Sequence, residues 1–328
     1  MATGRSAPHP AFVLHQWAWS ETSLILDLFT HDHGRIAVVA KGAKRPYSQL
    51  RPVLMPFQRL LVLTTRPKAD RDSGAADSGA DILTLRSAEY AGAGAALPPA
   101  QLFAGFYLNE LLLKLLARGD PHERLFDAYA DTLLALANGM ANGLANGLAN
   151  RLANGLANGL VNGLAEDESP LRAFELVLLR ETGVLPDLGR STTTQAPVMA
   201  ERGYQIQAEA GLVPAAATEP ALSGAACLAL QAALQAHDLP ALRAASLACL
   251  PALKTQLRAL LAYHLGAAPL RTRQLVLDVR RLTEPVAPAA PAALMPADPP
   301  ANPPASPPAK PPVDPPATSP VPNPASPP

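Results

Sequence analysis

The stretch Thr22–Thr30 has no face to turn to water. In an extended chain Leu24, Leu26 and Leu28 fall on one side, and Ile25, Asp27 and Phe29 on the other. A strand that is apolar on both sides must be covered twice or closed into a small barrel. Its neighbours supply partners: Ala11–Trp19 precedes it, and Arg35–Ala40 follows the turn His31-Asp32-His33-Gly34. A fourth strand falls within Val53–Thr65 and a fifth is Asp81–Tyr90. Five short strands in the first ~90 residues predict a five-stranded β-barrel of the OB type, a fold that binds nucleic acid. Residues 1–10 read as a flexible tail, and the polar run PKADRDSGAADSGAD as a loop between the last two strands.

From Pro99 the apolar period changes from two to that of a helix. Leu102, Phe106, Leu108, Leu112, Leu115 and Leu116 share helical spacing, and Gly119 ends the run. Asp120–Pro121 supplies a cap and a first-turn proline for a helix to about Ala137, which buries Leu125, Phe126, Tyr129, Leu133 and Leu136. Ser169–Pro170 repeats that start signal before Leu171–Thr182, whose apolar positions include Phe174 and Leu178. A short hairpin around Tyr204–Ile206 and Gly211–Val213 precedes helices near 224–236, 240–248 and 251–265. The basic stretch PLRTRQLVLDVRRL closes the domain. The chain is therefore α+β: a barrel over 11–91, then an all-α helical domain over 99–137 and 166–283.

Two segments have simple composition. Residues 138–165 repeat a tetrapeptide, mostly Asn-Gly-Leu-Ala. Four residues turn a helix about 40° past a full turn, so leucine keeps no constant face. Each glycine costs about 1 kcal/mol relative to alanine. We read the array as an expanded insertion, the alternatives being an extension of the preceding helix or a Gly-x-x-x-Gly packing surface. In a membrane its asparagines would need partners. Residues 284–328 hold about half of the 36 prolines and read as a disordered Pro/Ala-rich tail.

Lysine plus arginine equals aspartate plus glutamate, 27 each, so any nucleic-acid site has to be local. Cys227 and Cys249 make neither a disulfide framework nor a four-ligand zinc site, which fits a reducing cytoplasm. There is no secretory signal and no apolar run of about 18 residues. P-loop, HExxH and GxSxG motifs are missing, and Gly92-Ala-Gly94 lacks the third glycine of a dinucleotide fingerprint. His31 and His33 read as turn histidines; they would hold a metal only with ligands from elsewhere. His122–Glu123 suits a helix first turn, and Asn109 with Glu110 suits a polar helix interface. The expectation is a protein without catalytic residues, cofactor or metal.

What remains is charge. Between Gly34 and Phe57 lie Lys41, Lys44, Arg45 and Arg51 with no acid among them, while Gly42 permits close approach and Pro46 stiffens the loop. With Arg35 and Arg59 these are candidate contacts to a phosphate backbone, against the alternative of a solvated hairpin loop. Trp17, Trp19 and Tyr47 are candidate stacking platforms, with packing the competing reading for each tryptophan. Trp17 and Trp19 fall on one face of the predicted strand. Lys114, Arg118, Arg271, Arg273, Arg280 and Arg281 extend the positive surface or serve as helix-end dipole partners.

In order and spacing these residues resemble the RecO family of bacterial recombination-repair proteins. The likeness is carried by AFVLHQWAWSETSLILDLFTHDHGRIAVVAKGAKRPYSQLRPVLMPFQRLLV, FAGFYLNELLLKLLARGDPHERLFDAY, LRAFELVLLRETGVLPDL and LGAAPLRTRQLVLDV. The resemblance implies an N-terminal OB-fold and a helical C-terminal domain in a cytoplasmic, nucleoid-associated protein. It implies binding to single- and double-stranded DNA, annealing of complementary strands and partnership with RecR. It also implies contact with the tail of the single-strand-binding protein, through an apolar groove on the helical domain, so that RecA is loaded at gaps. Some members carry a four-cysteine zinc site after the PDL segment; here that stretch reads GRSTTTQAP, so no zinc is expected. The tetrapeptide array and the tail match nothing in the family pattern. Two other readings stay open on the residues alone: a protein-only adaptor whose basic loop is merely solvated, and an RNA-binding OB protein.

Overall fold

The computed structural model describes residues 7–66, 82–92, 96–153, 168–216, 220–266 and 270–283. The expected N-terminal tail is described only from residue 7. The expected mobile loop between the last two strands and the Pro/Ala tail lie outside the described residues.

Five strands, β1 (His9–Ala18), β2 (Leu24–Thr30), β3 (Gly34–Ala40), β4 (Leu60–Thr65) and β5 (Ile82–Tyr90), close into a barrel in the order β1-β2-β3-β5-β4. The first three form an antiparallel meander, β5 joins β3 in parallel with Val38 opposite Leu83, and β4 returns to β1 with Ala11 opposite Leu60. This is the predicted OB barrel. It also explains why β2 has no polar face. Leu26 and Leu28 point inward with Val13, Val38, Leu60 and Val62, whereas Phe29 points outward into the core of the helical domain.

One barrel boundary differs from expectation, and the fourth strand fills only the end of its predicted span. β1 begins at His9, inside the predicted tail. The fourth strand starts only at Leu60, because Pro52 and Pro56 lack the N–H that a ladder needs, and residues 41–59 run as turns. Leu54 and Phe57 drop from this loop into the barrel core and the helical core respectively.

A 3-10 turn (Pro99–Gln101) leads into α1 (Leu102–Leu115), followed by α2 (Glu123–Ala153) and α3 (Ser169–Glu181). A small sheet of β6 (Gly203–Gln207), β7 (Gly211–Pro214) and β8 (Leu222–Ser223) precedes α4 (Gly224–Ala236), α5 (Leu239–Ala248), α6 (Leu250–Leu265) and α7 (Arg271–Thr283). Ser223 and Asp238 cap α4 and α5, accepting from Ala226 N and Ala241 N.

Two helix ends are set by tertiary contacts, and a third differs from its local signal by one residue. α1 stops at Leu115, short of Gly119, because the chain turns extended and Gly119 N donates to Arg35 O at 2.9 Å. α2 starts two residues beyond Pro121, because Asp120 is pressed against the barrel turn. Gly34 there has φ +60°, and a Cβ on it would lie 1.7 Å from Asp120 O. Ser169 is the first residue of α3 and not its cap; Glu168 precedes it. α2 continues into the tetrapeptide array as far as Ala153, which is the helix-extension alternative, and residues 154–167 lie outside the described residues.

Barrel and helices share one core. Phe12 and Phe29 of the barrel meet Phe126 and Tyr129 of α2 with ring centroids 5.0 to 6.2 Å apart. All four are buried, and each aromatic of this kind contributes about 1.5–3 kcal/mol by leaving water.

Candidate nucleic-acid interface

Two loops meet at one end of the barrel. The β1–β2 turn, residues 19–23, and the β3–β4 connection, residues 41–59, are tied by Lys44 N donating to Thr22 O at 2.9 Å and by Lys44 Nζ donating to Ser20 O at 2.8 Å. Lys41, Lys44, Arg45 and Arg51 are all exposed, and none of them enters an ion pair among the described residues. Gly42 adopts φ +73°, which lets the loop double back so that Arg45 N reaches Gly42 O at 3.1 Å.

Aromatic surface accompanies these cations. Tyr47 is 95% exposed, Trp19 65% and Trp17 42%, so none of the three is enclosed in the core. Trp17 rests edge-on against His15, centroids 4.5 Å apart. Trp19 lies one residue past the end of β1, so the strand alternation that predicted a shared face for the two rings does not extend to it.

The remaining predicted cations are engaged elsewhere. Arg35 is built into the junction between the domains. Its Nε and Nη2 bond the Asp27 carboxylate at 3.3 and 3.5 Å, and its Nη1 donates to Leu113 O and Leu116 O at 2.6 and 3.1 Å. Arg118 Nη2 approaches the same buried carboxylate at 3.7 Å. Arg59 stacks over Phe126, 5.8 Å from the ring centroid. The sequence showed these charges but not that Asp27, on the outward face of β2, needed partners.

The C-terminal cations divide similarly. Lys114 pairs with Glu110 at 3.6 Å and Arg281 with Asp278 at 3.7 Å. Arg271 and Arg273 are exposed at the start of α7, and Arg280 lies within that helix. Glu110 caps the helix from across the domain, accepting from Arg271 N, Thr272 N and Thr272 Oγ1 at 2.8, 2.9 and 2.6 Å. Partial burial opposes its ionisation, but these hydrogen bonds outweigh it and hold the carboxyl below its usual range. Asn109 donates to Leu14 O at 3.0 Å and accepts from Tyr129 Oη at 2.5 Å, so both residues are the expected polar members of an interface.

A groove of about 610 Å³ opens between α1, α3, α6 and α7. Phe103, Leu261, Leu265 and Val276 give it an apolar lining, and Arg258 and Arg273 give it positive charge, while Lys254 pairs with Glu168 at 2.6 Å. Beneath it Glu175 is wholly buried, accepting from Tyr107 Oη at 2.6 Å and Arg172 Nη1 at 2.7 Å. Burial pushes this carboxyl up, against the pull of Arg172. The lining comes from helices far apart in sequence, so an apolar groove on the helical domain was expected but its residues were not legible. Cys227 is buried, its thiol pushed up to about 12 by that burial, and Cys249 lies on a separate turn. Among the described residues no helix is long and apolar enough to cross a membrane.

The family model described as recombination protein O N terminal matches residues 6–73, and the one described as recombination protein O C terminal matches residues 99–154. DNA repair protein RecO of Acidovorax ebreus is 46% identical over 289 residues, spanning 86% of this chain and 100% of the relative. The RecO proteins of Variovorax paradoxus and Verminephrobacter eiseniae are 43% and 45% identical, each over 86% of this chain and 99% of their own length. With the closed barrel and the helical domain behind it, these matches make the chain a member of the RecO family of DNA repair and recombination proteins.

Proposed function

We propose that this chain is a non-catalytic recombination mediator. Its barrel binds single- and double-stranded DNA without sequence preference and anneals complementary strands. With RecR and the single-strand-binding protein it then helps load RecA at gaps, in the cytoplasm at the nucleoid. One observation carries the reading: Lys41, Lys44, Arg45 and Arg51 stand exposed, without ion pairs among the described residues, on loops that also expose Trp19 and Tyr47. Such cations neutralise phosphates, and a base stacked on an aromatic ring contributes about 1–3 kcal/mol whatever its identity. Strands whose phosphates are screened by the loop repel each other less while their bases stay free to pair. The four cations stand on loops and not on a helix, so recognition stays with the backbone. The groove rimmed by Arg258 and Arg273 suits the tail of the single-strand-binding protein if that segment brings apolar and acidic side chains.

The test is binding to a fluorescent single-stranded oligonucleotide across a salt series, with wild type and with Lys41, Lys44, Arg45 and Arg51 all changed to Ala. Loss of four phosphate contacts flattens the log–log salt slope by about 2.8, at roughly 0.7 per contact. An unchanged slope refutes the loop as the site. No binding by either protein favours a protein-only adaptor, and preference for ribose over deoxyribose favours an RNA reader.

A further inference from the structure

Strand register gathers three imidazoles around one carboxylate. β1 and β2 pair with Ala11 opposite Thr30, and His31 N donates to Pro10 O at 3.1 Å, so His9 lies beside the β2–β3 turn. Asp32 in that turn has Oδ2 3.0 Å from His9 Nδ1 and Oδ1 2.6 Å from His31 Nδ1. The His33 ring stands edge-on to His9, centroids 4.4 Å apart. One ligand atom from each of His9, Asp32 and His33 lies within 4.8 Å of the others. The carboxylate's second neighbours, His31 and Glu123, meet the same limit with Asp32.

This spacing is close to that of a coordination sphere. Ligands bound at 2.0–2.1 Å in a tetrahedron lie about 3.3 Å apart, so His9 and Asp32 need to separate by only a few tenths of an ångström, and His33, whose ligand atom lies within 4.8 Å of theirs, closes the remaining gap. Two imidazoles with a carboxylate suit zinc-class transition metals; calcium and magnesium prefer oxygen throughout. His31 occupies the other carboxylate oxygen and fixes its direction, as groups behind metal ligands do.

We propose that His9, Asp32 and His33 bind a divalent transition-metal ion, with His31 as a positioning residue. The ion fastens the start of β1 to the β2–β3 turn, beside the junction where His31 lies edge-on to Phe126 of α2, centroids 5.4 Å apart. The two cysteines, on α4 and at the α5–α6 boundary, take no part.

The full chain, stripped with chelator and carrying Cys227→Ser and Cys249→Ser, is titrated with Co²⁺ and with Zn²⁺. The expected result is one ion per chain, visible absorption from bound Co²⁺, and a Zn²⁺-dependent rise in melting temperature. His9→Ala, Asp32→Asn and His33→Ala each weaken binding more than about tenfold, and His31→Gln weakens it less. Without any substitution, Zn²⁺ shifts the imidazole resonances of His9 and His33 and leaves those of His237 and His264 in place. Absence of stoichiometric binding, binding that survives both His9→Ala and His33→Ala, or loss confined to the His31 and Glu123→Gln variants overturns the assignment.

Discussion

Changing Arg35 to Ala separates a junction residue from a DNA contact. In the folded chain the guanidinium neutralises the buried Asp27 carboxylate and takes up two carbonyls at the end of α1. Each hydrogen bond from a charged donor is worth about 1.5–3 kcal/mol, and removing one partner of a buried pair costs about 3–5 kcal/mol. These figures overlap and do not add, and Arg118 remains near Asp27 at 3.7 Å. We therefore expect a loss of about 2–4 kcal/mol, or about 5–15 °C in melting temperature for a unit of this size. Arg35→Lys recovers little, because a single ammonium cannot span a carboxylate and two carbonyls. Adding Asp27→Asn to Arg35→Ala recovers about 1 kcal/mol or more, since a neutral amide needs no counter-ion. The assays are thermal melting and the DNA salt series on the same preparations. An Arg35→Ala protein that melts within about 1 °C of wild type, with its salt slope flattened by about 0.7, refutes the junction role and returns Arg35 to the DNA surface.

Other substitutions test neighbouring contacts. Tyr129→Phe leaves Asn109 Oδ1 without its donor inside the shared core and is expected to cost about 1–3 kcal/mol in urea unfolding, whereas a partner-free tyrosine would lose far less. Glu110→Gln weakens the cap of α7 by about 0.5–2 kcal/mol, seen as faster hydrogen exchange in Arg271–Thr283. Its folded carboxyl titrates below the usual glutamate range, so the difference from wild type is complete above that range and fades as the pH falls through the lowered value; a pH-independent difference contradicts the charge-assisted cap. Gly34→Ala adds a Cβ at φ +60° against Asp120 O and is expected to loosen the barrel–helix junction, read as a lower melting temperature.

Much of the barrel was legible because its signals are local and repeated. The two-faced Leu24–Thr30, the turn at 31–34 and the alternations around them specify strands whatever lies elsewhere. Helix ends were less legible: Leu115 and Glu123 are fixed by contacts with Arg35 and Gly34 that no local window contains, and Ser169 is the first residue of its helix and not the cap. Lys41, Lys44, Arg45 and Arg51 stood out as a run without acids. Arg35 and Arg59 look identical to them in sequence, and only the burial of Asp27 and Phe126 tells them apart. The histidine cluster hid for a similar reason. His31 and His33 are two residues apart, but His9 joins them through strand register.

The array that prolongs α2 has a genetic consequence. Its unit of four residues is encoded by twelve bases, so a slip of the replication machinery by one unit keeps the reading frame. On a helix each unit adds about 6 Å and about 40° of rotation. Among the residues whose burial is described, Leu136 is the last of α2 in the core, before the first asparagine of the array. Gain or loss of units therefore falls C-terminal to that packed segment. Lineages carrying this chain can vary in length at this point as their genomes drift, while the barrel and the packed start of α2 keep their sequence.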